Sequence, residues 1–84
     1  SAYHLQDGTY NRTQGGGGSS YYIIDTQNLT ATNSNNVART YVDNGDNTFT
    51  MDKGNGNYET YYLDSDYQFH NQGGNMVYTM TPAQ

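Results

Sequence analysis

Apolar positions in this chain fall in short runs where every second residue is Tyr, Val, Ile, Phe or Met. Clusters of Asn, Gly and Asp interrupt these runs about every ten residues, the spacing of successive hairpins. No stretch repeats apolar residues at i, i+3, i+4 and i+7, so no amphipathic helix is expected. The period-2 pattern predicts eight strands, over 8–13, 20–25, 28–32, 37–43, 47–53, 58–63, 67–71 and 76–81. Each connection is short, so consecutive strands pair as antiparallel hairpins. The fold class is therefore all-β, an antiparallel up-and-down meander of about eight short strands.

Turn chemistry sets the expected register. Asn44-Gly45 is a strong two-residue hairpin signal, because both positions tolerate positive φ. Pairing across it sets Val42 opposite Asn47, Thr40 opposite Phe49 and Ala38 opposite Met51. One face then carries Ala38, Thr40, Val42, Phe49 and Met51, and the other carries Arg39, Tyr41, Thr48 and Thr50. A four-residue loop keeps these faces, whereas an odd-length loop mixes them. At Gly54-Asn55-Gly56-Asn57 a two-residue turn sets Tyr62 opposite Phe49 and keeps Glu59 in water. It also exposes Leu63 and puts Glu59 opposite Asp52; a three-residue loop turns Glu59, Tyr61 and Leu63 inward instead. The two-residue turn is preferred. Further along, Tyr67 and Phe69 share one face, as do Met76, Tyr78 and Met80.

Eight strands of this length either close into a small barrel or bend into a barrel-like sandwich, and closure removes exposed edges. The chain has 84 residues, and residues 1–84 read as one small domain. Gly15-Gly16-Gly17-Gly18 reads as a flexible loop between the first two strands. An interior filled by Tyr, Phe, Met and Leu leaves little room for a ligand. The folding free energy of so small a domain is expected to be marginal.

Composition narrows the partners. Leu, Ile, Val and Phe together number only ten, a level typical of disordered chains. Ten tyrosines and a charged fraction of 13% argue for a folded domain in which aromatic rings replace aliphatic bulk. Three basic residues, Arg12, Arg39 and Lys53, stand against eight acidic ones, giving a net charge of −5. Nucleic acid and anionic lipid surfaces are poor partners for such a chain. The longest strongly apolar run, Tyr21 to Ile24, is far too short for a transmembrane segment. There is no cysteine, which excludes disulfides and thiolate chemistry. Scarce Lys and Glu beside abundant Asn, Thr, Gly and Tyr suggest an exported protein at a bacterial surface, with no signal segment among these residues.

No constellation points to catalysis. His4 and His70 are the only imidazoles, one near the terminus and one expected on the surface, and no serine sits in a nucleophile elbow. The chain is read as a non-enzyme without a cofactor. Asp43-Asn44-Gly45-Asp46-Asn47 and Asp64-Ser65-Asp66 cluster oxygen atoms, but Asp and Asn are equally what tight turns require, and no metal site is assigned. Tyrosine placement is more informative. In the register above, Tyr41 and Tyr61 project outward and flank Thr48 and Thr50, with Arg39 as a nearby donor. Two aromatic faces beside hydroxyls form a candidate binding surface for a cell-wall or host glycan, although aromatic–Thr pairs also stabilise a sheet by themselves.

Asp7-Gly8-Thr9-Tyr10, the Gly/Ser loop, Tyr22-Ile23-Ile24-Asp25, Asn28-Leu29-Thr30 and Asp43 to Thr50 together resemble small exported or lipid-anchored domains of Gram-positive, lactic-acid-type bacteria. In those domains a Gly-Thr-Tyr strand opens a lipocalin-like β-meander. The resemblance implies architecture and an extracellular or cell-surface location, and carries no catalytic residues. The expected function is a binding or interaction module at the cell envelope, with a glycan or a protein as partner. The alternatives are a lipocalin-like carrier of a small ligand and a secreted inhibitor presenting a loop.

Overall fold

A computed structural model describes residues 3–82. It contains eight strands: β1 (Gly8–Gln14), β2 (Tyr21–Asp25), β3 (Thr30–Asn33), β4 (Ala38–Asp43), β5 (Thr48–Gly54), β6 (Asn57–Ser65), β7 (Gln68–His70) and β8 (Val77–Thr79). Every strand pairs antiparallel with its sequence neighbour, and β8 pairs with β1, so the sheet is a closed barrel in simple meander order. Among the described residues no helix is long and apolar enough to cross a membrane.

The reason for closure lies in the side chains that share the inside. Tyr10, Phe49, Met51 and Phe69 are fully buried, with Tyr22, Ile24, Tyr41, Tyr61, Leu63 and Tyr78 nearly so. Phe69 is the centre of this group. Its ring stacks on Tyr78 at 4.8 Å between centroids and meets Phe49, Tyr10 and Tyr61 at 5.0, 5.3 and 5.3 Å in tilted or edge-on contacts. Such pairs each contribute roughly 0.5–1.5 kcal/mol beyond the area they bury. The interior is a solid aromatic layer.

Residues 3–7 close one end of the barrel. Leu5 is buried there, and Tyr10 ties the segment down by accepting the Gln6 N–H at 2.8 Å and donating to the Asp66 carbonyl at 3.0 Å. Turns begin on Asx residues whose side chains accept the next backbone N–H groups. Asp25 accepts from Gln27 and Asn28, Asn33 from Asn35 and Val37, Asp43 from Gly45, and Asp52 from Gly54. The abundance of Asn and Asp is explained by this turn chemistry. The Gly15–Gly18 segment does join β1 to β2, where Arg12 donates to the Gly17 and Gly18 carbonyls at 2.7 and 3.1 Å.

The structure corrects two registers, each by an odd number of residues. Between β4 and β5 the partners are Tyr41 with Met51, Val42 with Thr50, and Asp43 with Phe49. Asn44 N–H bonds the Thr48 carbonyl at 3.0 Å, so the loop is Gly45-Asp46-Asn47, three residues with Gly45 and Asn47 at φ 78° and 67°. β4 is thereby turned over: Tyr41 enters the core and Val42 is left 62% exposed. The exchange is favourable because the phenol ring buries more apolar area than Val.

Between β5 and β6 the turn is Asn55-Gly56, as expected, flanked by the pair Gly54 and Asn57. A bulge between Asp52 and Gly54 then adds one residue to β5, and Gly54 supplies the left-handed conformation at φ 87°. Beyond it Met51 faces Glu59 and Phe49 faces Tyr61, so Tyr61 and Leu63 are buried and Tyr62 points out. The bulge removes both costs of the expected register, since Leu63 is covered and Asp52 faces Tyr58 instead of Glu59.

A test of the bulge follows. A Cβ at Gly54 would meet Arg39 Nη1 at 2.9 Å in a left-handed backbone, whereas Gly56, also left-handed, has open space. Gly56→Ala is expected to cost about 1 kcal/mol from backbone strain alone, and Gly54→Ala measurably more. Denaturant midpoints of the two variants check this; equal losses would remove the crowding argument.

Candidate functional site

A packed interior leaves chemistry to the outside of the sheet and the two ends of the barrel. The residues expected to form a binding face are divided among them. Thr48 and Thr50 face outward on β5 as expected. Tyr41 and Tyr61 do not; both are core residues, 5% and 3% exposed. Arg39 lies on the inward side of β4, and its Nη1 donates to the Lys53 carbonyl at the end of the barrel. The surface of Tyr41, Tyr61 and Arg39 around Thr48 and Thr50 is therefore not assembled, because both neighbouring strands are turned over.

The same inversion puts other residues beside the threonines. Tyr62 is opposite Thr48, and its next partner across the sheet is His70, whose ring lies edge-on at 5.6 Å. Tyr58 is opposite Asp52 and 67% exposed. Thr50 and Thr60 pair directly, their hydroxyls 3.0 Å apart, and Asn44 Nδ2 donates to Thr48 and Thr50 at 2.9 and 3.0 Å. The outer face of β4–β7 is a hydroxyl row bordered by Val42, Tyr58, Tyr62 and His70. Sequence reasoning missed Tyr58 and Tyr62; the signal for them is Gly54 directly before an Asn-Gly turn, which allows a left-handed bulge.

The two ends differ in charge. Asp7, Asp25, Asp43, Asp46, Asp64 and Asp66 lie at the end closed by residues 3–7. Arg12, Arg39 and Lys53, the chain's only Lys and Arg residues, lie toward the opposite end, with Asp52 and Glu59. There Lys53 Nζ sits 3.3 Å from Glu59 Oε1, 3.3 Å from the Tyr61 hydroxyl and 3.4 Å from the Tyr22 hydroxyl. The Tyr61 hydroxyl donates to Glu59 at 2.8 Å. Glu59 can therefore face inward at the rim, because a cation and a phenol satisfy it. Partial burial opposes the charge on Lys53, but Tyr22 and Glu59 outweigh it and hold the ammonium above the usual lysine range.

At the acidic end lies a cavity of about 190 Å³, lined by His4, Leu5, Thr26, Leu29, Tyr41, Asp43, Phe49 and Leu63. His4 Nδ1 contacts Asp43 Oδ2 at its rim. Burial raises the Asp43 carboxyl, but hydrogen bonds from His4 and the Gly45 N–H, with the charge of His4, lower it overall. Burial, then the fields of Asp43 and Asp7, push the Tyr41 phenol up to about 12. Elsewhere the turn carboxylates are engaged locally, Asp46 accepting from Thr48 and Asp25 from Asn28.

No known protein family, curated protein or solved structure matches this chain.

Three core phenols have raised pKa values: Tyr10 and Tyr41 chiefly by burial, and Tyr61 by burial followed by Tyr22 and Glu59. A raised value in the folded state means the native barrel holds these protons more tightly than the unfolded chain does. That contribution to stability is complete below the unfolded pKa of about 10 and is lost as pH rises through the folded values. Alkaline titration is therefore expected to leave a fraction of the tyrosinate absorbance undeveloped until the barrel unfolds, in a step coincident with loss of the β-sheet signal. Complete ionisation with the fold intact would contradict this assignment.

Proposed function

We propose that this domain is a non-enzymatic, extracytoplasmic binding module of a bacterial cell envelope that takes a neutral, hydroxyl-rich polymer such as a cell-wall or host glycan. The observation that carries the reading is the outer face of β4–β7, where Tyr58 and Tyr62 border the hydroxyls of Thr48, Thr50 and Thr60. Aromatic faces stack on the apolar faces of sugar rings, and threonine and asparagine groups exchange hydrogen bonds with their hydroxyls. An interior filled by aromatic rings supports a surface mode of binding over a lumenal one. Scarce Lys and Arg argue against polyanionic partners. The location is supported by composition, poor in Lys and Glu and rich in Asn, Thr, Gly and Tyr.

The test is a ¹⁵N NMR titration with a panel of cell-wall and mucin glycans. Saturable shifts are expected at Thr50, Tyr58, Thr60 and Tyr62. Tyr62→Ala is expected to weaken binding roughly three- to tenfold, the equivalent of one aromatic contact, while the spectrum of the core stays unchanged. A silent panel, or shifts confined to the barrel ends, would overturn the reading.

A further inference from the structure

The cavity at the acidic end has no place in the surface reading, and its lining is specific. Leu5, Leu29, Phe49 and Leu63 make an apolar floor, while His4, Thr26 and Asp43 supply the polar rim. Tyr41 connects the two. It is 5% exposed, yet its hydroxyl enters no hydrogen bond with the described residues. No fully buried polar side-chain atom among those residues is left without a partner, so this hydroxyl keeps some exposure, and Tyr41 is part of the cavity lining. A phenol that lines a hollow and whose oxygen has no partner is an unused donor and acceptor.

Volume and charge limit what fits. A hollow of about 190 Å³ is below the range of drug-sized pockets and close to that of an apolar cavity that accepts one benzene ring. Asp43 sits on the rim, and Asp7 and Asp25 are near enough for their fields to bear on Tyr41. Lys53, Arg39 and Arg12 are at or toward the other end of the barrel. His4 offsets part of the Asp43 charge, but with Asp7 and Asp25 nearby an anion entering here still meets a net negative potential, whereas a cation is attracted. A single rim carboxylate beside an apolar floor suits an organic cation better than a metal ion, which needs several oxygen ligands.

We propose that this cavity is a binding site for a small organic ammonium ion with an apolar body of about one ring. Its body contacts Leu29, Phe49 and Leu63, and its ammonium lies at the rim between Asp43 and the Tyr41 hydroxyl. The Asp43 oxygens accept from His4 and Gly45, and each retains a lone pair for a further donor. His4, with a side chain 54% exposed, forms the outer lip.

Three probes of one shape and different charge test this on the whole chain at neutral pH: benzylamine, benzyl alcohol and benzoate, each followed by NMR. Benzylamine is expected to shift Leu29, Asp43 and Leu63 signals saturably, with benzyl alcohol at least about tenfold weaker and benzoate silent. Tyr41→Phe keeps the packed ring and is expected to weaken benzylamine about fivefold, one hydrogen bond's worth. Asp43→Asn is expected to bring benzylamine down to the level of benzyl alcohol. Tyr62→Ala, on the outer face, leaves benzylamine binding unchanged, so failure of this site and of the glycan surface are read separately. No shifts with benzylamine, equal binding of all three probes, or Tyr41→Phe binding like the parent would each overturn the proposal.

Discussion

Everything in this barrel depends on filling a small closed interior from a chain that has few large aliphatic side chains. Phe69 is where that constraint is met, with stacked, tilted or edge-on ring contacts to Tyr78, Phe49, Tyr10, Tyr61 and, at 6.3 Å, Tyr22. Five strands other than its own send a ring toward it. β7, like β8, is only three residues long, and Phe69 is its middle one, so one of the two shortest strands carries the most connected side chain. A flat or open arrangement would leave these rings in water, which is why closure and core formation are one event.

Using tyrosine as core material has a consequence at both ends. A phenol is longer than a phenylalanine ring and ends in a polar atom that needs a partner or water. Tyr10 sends its hydroxyl to the Gln6 N–H and the Asp66 carbonyl, fastening residues 3–7 across the acidic end. Tyr22 and Tyr61 send theirs to Lys53 and Glu59 and close the basic end. Tyr41 and Tyr78 are the members whose oxygens enter no hydrogen bond among the described residues, and the cavity lies beside Tyr41. The polar tips of the core thus define the rims, and the rims hold the charge.

The separation of charge follows from the turns. Asx residues begin the β2–β3, β4–β5 and β6–β7 connections at one end, and in the first two their carboxylates hold the turn N–H groups. Basic residues fall on inward positions toward the opposite end, where their stems cover the core and their heads bond backbone carbonyls or Glu59. The outer face of β4–β7 and the Tyr41 cavity are two places where side chains stay accessible once the fold is formed.

Much of this was legible in the amino-acid sequence. The eight strands, their antiparallel order, the inward parity of Phe49, Met51, Phe69 and Tyr78, and the Asn55-Gly56 turn all follow from local rules: side chains alternate every residue, and Asn and Gly accept positive φ. The faces of β4 and β6 do not follow, and with them went the candidate site. A three-residue loop after Asp43 and one bulged residue before Asn55 each reverse a whole strand, because an odd shift in register exchanges its two sides. Local sequence permits either parity at both turns. The choice was made by the barrel as a whole, which gained the rings of Tyr41 and Tyr61 and the side chain of Leu63 for its core and left Val42, Tyr58 and Tyr62 to solvent. Hydrophobic burial is summed over all eight strands, so only the closed tertiary structure could decide which tyrosines are inside.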